Sequence, residues 1–358
     1  PYRALWSNTQ FAFEVLPLKP GDRVVSMLPM AHMYGLAFEF LYEVACGCHV
    51  YFLTRMPSPK IIFQAFAEVK PHIVIAVPLI IEKIIKKNVL PKLETLKMKI
   101  LLKVPIINDK IKATVREHMI QGFGGNFHEI IIGGAAFNQE VEQLLKSIDF
   151  PYTVGYGMTE CAPIISYEDW KRFKPGSCGK SAPRMEVRID SPDPENTVGE
   201  ILTRGDNVML GYYKNPEATA QVIDKDGWLH TGDLGVMDAA GNITIKGRSK
   251  NMLLGPSGQN IYPEEIEDKL ANMPLVAENI VIQQADHKLT ALVYPDFEEA
   301  YAQGMTDADI AQVMENNRIA LNEELPGYSQ ITRITIQPEE FEKTPKKSIK
   351  RFLYQDIK

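Results

Sequence analysis

Pro151-Tyr152-Thr153-Val154-Gly155-Tyr156-Gly157-Met158-Thr159-Glu160-Cys161 is the stretch on which the reading of the fold turns. Tyr152–Val154 is short and β-prone, and Pro151 ends the segment before it. Gly155 and Gly157 bracket Tyr156. Glycines on both sides of an aromatic let backbone approach a flat ligand while the ring offers a stacking face. A hydroxyl and a carboxylate follow at Thr159 and Glu160, within reach of a phosphate oxygen and a divalent cation. The same string also suits an ordinary strand-to-loop turn.

Upstream, short strands that are apolar throughout alternate with helices. Val24–Leu28, His72–Val77 and Glu129–Ile132 read as strands. Tyr2–Val15, Ile61–Val69, Leu79–Lys87 and Gln139–Ile148 read as helices, the last capped by Asn138. This alternation predicts an α/β layer whose mostly parallel sheet is covered by helices, residues 1–165. Ligands bind such sheets beyond the carboxyl ends of the strands, where Gly133-Gly134-Ala135-Ala136 and Gly155-Tyr156-Gly157 both fall. From Ser166 helix signals stop and short alternating strands appear (Glu186–Ile189, Glu200–Thr203, Ile243–Ile245), predicting a small β-barrel subdomain over 166–247. Residues 248–358 read as a compact α+β domain. It has a helix from Pro263 to Met273, a hairpin across Ala285-Asp286-His287, a helix over Asp307–Leu325 and a strand over Ile331–Ile336.

Bulk properties narrow the function classes. The 358 residues exceed one ordinary core, and 45% hydrophobic with 23% charged residues is a globular composition. A net charge of −6 argues against a nucleic-acid surface. Four cysteines form no disulfide framework in a chain of this size, which points to a reducing, cytoplasmic setting. Cys46-Gly47-Cys48-His49 lacks a second Cys/His pair at zinc spacing. No apolar run reaches the roughly 18 residues of a membrane span. The basic segment Leu90–Gly125 suits a solvated helical face or a peripheral contact with a membrane or partner.

Two later stretches sharpen the reading: Gly227-Trp228-Leu229-His230-Thr231-Gly232-Asp233-Leu234-Gly235, and Lys246-Gly247-Arg248-Ser249-Lys250 leading to Gly258-Gln259-Asn260-Ile261-Tyr262-Pro263-Glu264-Glu265-Ile266-Glu267. With Gly155–Glu160, in this order, they resemble the adenylate-forming superfamily, and within it the long-chain acyl-CoA synthetases, from about Arg3 to Arg351. The resemblance implies an AMP-forming fatty acid–CoA ligase using ATP, Mg2+ and CoA. It implies nucleotide contacts from Gly134, Ala135, Tyr156, Gly157, Thr159, Asp233 and Arg248, with Asp233 on the ribose hydroxyls and Glu160 on the metal. Leu28-Pro29-Met30-Ala31-His32-Met33-Tyr34-Gly35 is similar to the motif whose aromatic or His side chain, here His32, gates the acyl pocket. A lone His there is otherwise a core residue. Lys250 would be a hinge that makes 248–358 mobile, and Gly258 a bare backbone beside the CoA pantetheine.

Activating a carboxylate on ATP brings anions together; unit charges about 4 Å apart repel by about 4 kcal/mol at an effective dielectric near 20. A cation and a lysine must offset this. The family tail runs Lys-Thr-x-Ser-Gly-Lys-Ile-x-Arg. Here Lys343-Thr344 and Ile349-Lys350-Arg351 match, which leaves Ser348 at the lysine position and makes Lys347, with Lys350 second, the candidate for adenylation. The family's Ser/Thr/Gly-rich phosphate loop ending in Pro-Lys-Gly does not occur in this sequence. The resemblance therefore implies a piece of a longer protein, inactive by itself. Two alternatives share the motifs: loading of a carrier-protein phosphopantetheine, and acyl or nucleotide binding without turnover.

Overall fold

The computed structural model describes every residue except 55–56, 94, 96–97, 99–100, 102, 256–257, 285, 345–348 and 355–358. The chain divides into two compact units, residues 1–231 with 235–245, and residues 232–234 with 246–358.

The first unit is built around three parallel strands in the order Val74–Ala76, Ile130–Ile132, Tyr152–Val154. Every residue in them is buried, as a sheet covered on both faces requires. A parallel bridge from Val24 to Ile73 continues the layer to strand Arg23–Ser26, which pairs in parallel with His49–Phe52. Two expectations are corrected here. The strand expected over Val24–Leu28 stops at Ser26, because the amides of Met27 and Leu28 go to the Glu39 carboxylate instead of a neighbouring strand. The strand His49–Phe52 was not foreseen; it is half-exposed and lacks the continuous apolar run. Gly47, in the left-handed region at φ 78°, closes helix Tyr42–Cys46 and turns the chain into that strand. The Cys-Gly-Cys run is thus a helix cap. Among the described residues no group of three or more His, Cys, Asp or Glu could hold a metal, and all four cysteines are free thiols.

Helices Pro59–Val69, Pro78–Asn88 and Gln139–Ser147 pack beside this layer, each starting where its cap or proline dictates. Asn138 accepts from the amide of Val141 at 3.2 Å. In the basic segment, helix Pro105–Gly122 presents Lys103 just ahead of it and Lys110 along it to solvent. No described helix is long and apolar enough to cross a membrane.

After the parallel strands come two further sheets, the first antiparallel throughout and the second antiparallel where Gly199–Gly205 pairs with Met185–Asp190. One is Tyr156–Gly157, Ile164–Tyr167, Lys180–Ser181; the other is ordered Ile243–Arg248, Leu229–Met237, Gly199–Gly205, Met185–Asp190. The expectation that helices end at Ser166 fails at helix Pro216–Val222. Asn215 accepts from Ala218 N at 3.0 Å, and proline at the first turn needs no amide partner.

In the second unit strand Val276–Gln283 pairs antiparallel with Leu289–Pro295, which pairs in parallel with Ile331–Ile336. Helix Pro263–Leu270, three residues shorter than expected, and helix Asp307–Glu324 cover the sheet. Thr306 and Asp309 form a reciprocal capping box. A short hairpin, Leu253–Leu254 with Asn260–Ile261, precedes them.

Candidate functional site

In the first unit the carboxyl ends of the parallel strands lead into the loops expected to meet a ligand. Gly133 lies under the Tyr34 ring: a Cβ there would sit 3.2 Å from the ring carbon Cζ. The Tyr34 hydroxyl donates to Ile131 O at 3.1 Å. Gly134, at φ 94°, and Ala135 face solvent. The Pro29–Gly35 segment is thereby tied to the glycine loop. His32 caps helix Met33–Leu36, its Nδ1 accepting from Tyr34 N at 3.3 Å, with the ring half-buried.

Glu39 holds this segment from behind. It lies in a five-residue π-helical turn, Ala37–Leu41, the kind of local irregularity that re-aims side chains. Its Oε2 accepts from Ser26 Oγ at 3.2 Å, Met27 N at 3.0 Å and Leu28 N at 2.8 Å. Among the described residues no cation is paired with it, and burial pushes the Glu39 carboxyl up to about 7.

The Tyr156–Glu160 stretch folds as a hairpin strand followed by a single 3-10 turn, Thr159–Cys161. Tyr156 is 7% exposed and belongs to the main core. A Cβ on Gly157 would overlap the carbonyl oxygen of Pro163, so this glycine serves the close approach of its own hairpin. Thr159 is exposed and Glu160 half-buried. Glu160 Oε1 accepts from the Tyr212 hydroxyl at 3.0 Å, and its carbonyl accepts from Met209 N at 2.7 Å. Burial and this hydrogen bond raise the Tyr212 pKa above its ordinary value.

In the second unit Asp233 Oδ1 meets Arg248 Nε at 2.7 Å; the Asp side chain is 7% exposed, the Arg side chain 56%. Lys250 is exposed in the turn after strand Ile243–Arg248. Gly258, at φ 83° near the tip of its hairpin, has nothing within 4 Å of where a Cβ would stand. In the tail, Lys343 pairs with Glu278 and Glu340, and Lys350 pairs with Glu342 at 3.1 Å. Lys347 and Ser348 lie outside the described residues.

Residues 2–213 match the model of the AMP-binding enzyme family, and residues 251–355 that of the AMP-binding enzyme C-terminal domain. The chain belongs to the AMP-binding enzyme family. Among its curated relatives, 4-coumarate–CoA ligase 5 of Oryza sativa subsp. japonica is 30% identical over 311 residues, 83% of this chain and 52% of the relative. A long-chain-fatty-acid–CoA ligase of Escherichia coli O6:H1 is 41% identical over 152 residues, 41% of this chain and 27% of the relative. Of solved structures, the ATP-bound RpMatB-BxBclM chimera B1 superposes with a TM-score of 0.77 at 22% identity, covering 99% of this chain and 65% of the chimera. The o-succinylbenzoate CoA synthetase MenE of Bacillus subtilis, with its acyl-adenylate OSB-AMP, superposes with a TM-score of 0.76 at 20% identity, covering 99% and 65%. These likenesses place the fold among the adenylate-forming enzymes. The chain spans about half the length of the first curated relative.

Within the AMP-binding fold, Tyr156 and Gly157 lie on a short strand that runs directly into the 3-10 turn of Thr159 and Glu160, and Asp233 and Arg248 meet directly. His32 is joined through Tyr34 to the strand that leads into Gly134 and Ala135. Tyr34, Glu39 and Tyr212 were missed. The Gly211-Tyr212-Tyr213 run was a visible signal for a loop aromatic, but its partner lies 52 residues back. Glu160 offers a half-buried carboxylate at the start of the Thr159–Cys161 turn, and one or two such carboxylates are what a protein gives to Mg2+.

Proposed function

We propose that this polypeptide, in its full length, is an ATP-dependent acyl-CoA ligase acting on a long-chain fatty acid. In the first half-reaction a carboxylate oxygen attacks the α-phosphorus of ATP and the bond to pyrophosphate breaks. In the second, the CoA sulfur attacks the acyl carbon, the bond to AMP breaks, and the thiol proton passes to solvent. The Gly134-Ala135 backbone and Tyr156, at the start of the turn, hold the adenine, and Thr159 donates to the α-phosphate. The Asp233 carboxylate, fixed by Arg248, accepts the ribose hydroxyls. Glu160 would give its carboxylate to a Mg2+ whose chemistry is neutralising charge across the phosphates. His32, set at a helix start against Tyr34, gates the acyl group. Lys347, at the tail, offsets charge on the reacting oxygens, with Lys350, paired to Glu342 at 3.1 Å, as the second candidate. The second unit turns about Lys250 between half-reactions and presents Gly258, whose open side leaves room for pantetheine.

The observation that carries this reading is the buried Asp233 held by Arg248, which supports its role as a preorganised acceptor for a vicinal diol. The fatty substrate rests on the 41% identical stretch shared with the E. coli long-chain-fatty-acid–CoA ligase. Pyrophosphate exchange by the full-length polypeptide tests it. Exchange driven by palmitate and not by acetate or 4-coumarate is expected, with thioester formed on free CoA. Exchange driven only by an aromatic acid would move the chain to the coumarate-type substrates, and thioester formed only on a carrier protein would change the acceptor.

A further inference from the structure

Helix Tyr2–Val15 carries none of the residues assigned to the reaction, yet two of its side chains grip the segments that hold Glu160. Asn8 is fully buried. Its Nδ2 donates to Cys161 O at 3.1 Å and to Ala4 O of its own helix at 2.8 Å, and its Oδ1 accepts from Ile164 N at 3.0 Å. Both N–H groups of the amide are therefore used, and the amide can face only one way. Reversed, it would set donor against donor at Ile164 and acceptor against acceptor at Cys161. The two backbone groups it holds lie where the chain leaves the 3-10 turn Thr159–Cys161. Met158 N, just ahead of that turn, donates to Pro163 O at 2.9 Å and closes it.

Arg3, near the start of the same helix, fastens the second segment. Its Nε donates to Asp206 O at 3.2 Å and its Nη2 to Val208 O at 3.1 Å. Between those carbonyls Asn207 Nδ2 donates to Ile164 O at 2.8 Å, so the two segments are also joined to each other. Met209 N then donates to Glu160 O at 2.7 Å, and the Tyr212 hydroxyl reaches the Glu160 carboxylate at 3.0 Å. Glu160 is thus held at its backbone and at its carboxylate by the segment fastened to Arg3, and its turn is held by Asn8. The helix is the common frame for partners 153 residues from Asn8 and 205 from Arg3. Arg184 fixes the frame in turn, donating to Ser7 Oγ at 3.2 Å and Ser7 O at 3.1 Å.

We propose that Asn8 and Arg3 are positioning residues for the Glu160 carboxylate, Asn8 by fixing its turn and Arg3 by fixing the segment that leads to Tyr212, so that the carboxylate is set for a divalent cation before nucleotide arrives. This rests on the ligase reading above, in which Glu160 serves Mg2+. A ligand already held in place loses little freedom on binding, and residues that orient a metal ligand from outside typically contribute roughly tenfold to a hundredfold in metal affinity. An Asn8 that served only the stability of the fold would act on nucleotide binding with and without Mg2+ alike.

The test measures binding of a non-hydrolysable ATP analogue, with a methylene group between the α- and β-phosphorus, to the full-length polypeptide with and without Mg2+. Parent, Asn8→Ala, Arg3→Ala, Glu160→Ala and the Asn8→Ala/Glu160→Ala double variant are compared. Mg2+ should tighten binding to the parent. Asn8→Ala is expected to lose about tenfold of that tightening, and Arg3→Ala about threefold, its bonds being more exposed. Binding without Mg2+ stays within about twofold in both. In the Glu160→Ala background Asn8→Ala should cost nothing further, because its effect runs through the carboxylate already removed. Amide hydrogen exchange is the second readout. The Ile164 amide should exchange about tenfold faster in Asn8→Ala and the Met209 amide faster in Arg3→Ala, with Ile131 in the parallel sheet unchanged. Equal weakening with and without Mg2+ would overturn the proposal, as would full additivity of Asn8→Ala and Glu160→Ala. If Asn8→Ala does not fold, Arg3→Ala decides by the same measures. If Glu160→Ala keeps the whole Mg2+ effect, the metal assignment of the ligase reading falls and the proposal with it. An effect lost in Glu160→Ala but kept in Asn8→Ala and Arg3→Ala removes the proposal alone.

Discussion

The two hairpins that carry candidate glycines differ in the room they leave. At Gly157, in the first unit, an added methyl would run into the Pro163 carbonyl and come within 3.2 Å of Ile164 Cα. At Gly258, in the second unit, it would meet nothing, although φ is 83°. One glycine is demanded by packing inside the fold. The other is demanded only by backbone conformation, and its vacant side is left for something outside. The same contrast separates two buried glutamates. Glu39 is held by amides and a hydroxyl, with no cation paired to it among the described residues, whereas Glu267 is held by Arg351. A carboxylate without a counter-charge in a buried setting answers to pH, and one with a guanidinium answers to geometry.

The contrast breaks first at Gly157. Gly157→Ala should destabilise the first unit by more than about 3 kcal/mol, because backbone on both sides of the hairpin must move. A chemical-denaturation midpoint within error of the parent would show that the hairpin yields freely, and the distinction between the glycines would be lost.

The second test uses pH. The folded Glu39 carboxyl titrates near 7, above its unfolded value near 4.5. Its protonation therefore stabilises the fold fully below about pH 4.5, and this contribution is lost as pH rises through 7. The loss is on the order of 3–4 kcal/mol at the most, at about 1.36 kcal/mol per pKa unit. Glu129, buried and hydrogen-bonded to Tyr167, is also raised to about 7 and adds in the same direction. Glu39→Gln keeps an acceptor for Met27 and Leu28 but cannot ionise. Urea titrations from pH 5 to pH 8 should show a shallower decline for this variant, and identical slopes would remove Glu39 from the account.

Gly258→Ala sharpens the other side. The left-handed backbone should cost about 1 kcal/mol, a small shift in melting temperature. Thioester formation should slow while adenylation persists. Equal slowing of both would mean that the open side is not where CoA approaches.

Tyr212→Phe has the smallest expected effect on folding, within about 1 kcal/mol, since the hydrogen bond lost is an exposed one to a solvated carboxylate. Freed from that donor, Glu160 should bind Mg2+ differently. A shift of the Mg2+ midpoint in pyrophosphate exchange, with unchanged stability, is the expected result. An unchanged midpoint would make the contact purely local.

Much of this architecture was legible beforehand. Buried parallel strands announce themselves as unbroken apolar runs such as Ile130-Ile131-Ile132, and Asn138 marks a helix start within three residues of the amide it caps. The helix at Pro216 and the strand at His49 were missed. The first is short and sits in β-rich surroundings, and the second is half-exposed, so its pattern carries little burial signal. The order of the motifs, from Gly155 through Asp233 to Arg248, was also fixed along the chain, since each is a local string whose residue types suit phosphate, diol and charge.

What the chain could not reveal is which distant groups complete those strings. That Tyr212 meets Glu160, that Tyr34 covers Gly133, and that Glu267 and Arg351 close on a single peptide depend on partners 52 to 99 residues apart in sequence. Periodicity and capping are set by neighbours within one or two turns, so sequence suffices for them. Contacts across such separations exist only once the strands have paired and the loops have closed, and that ordering belongs to the tertiary structure.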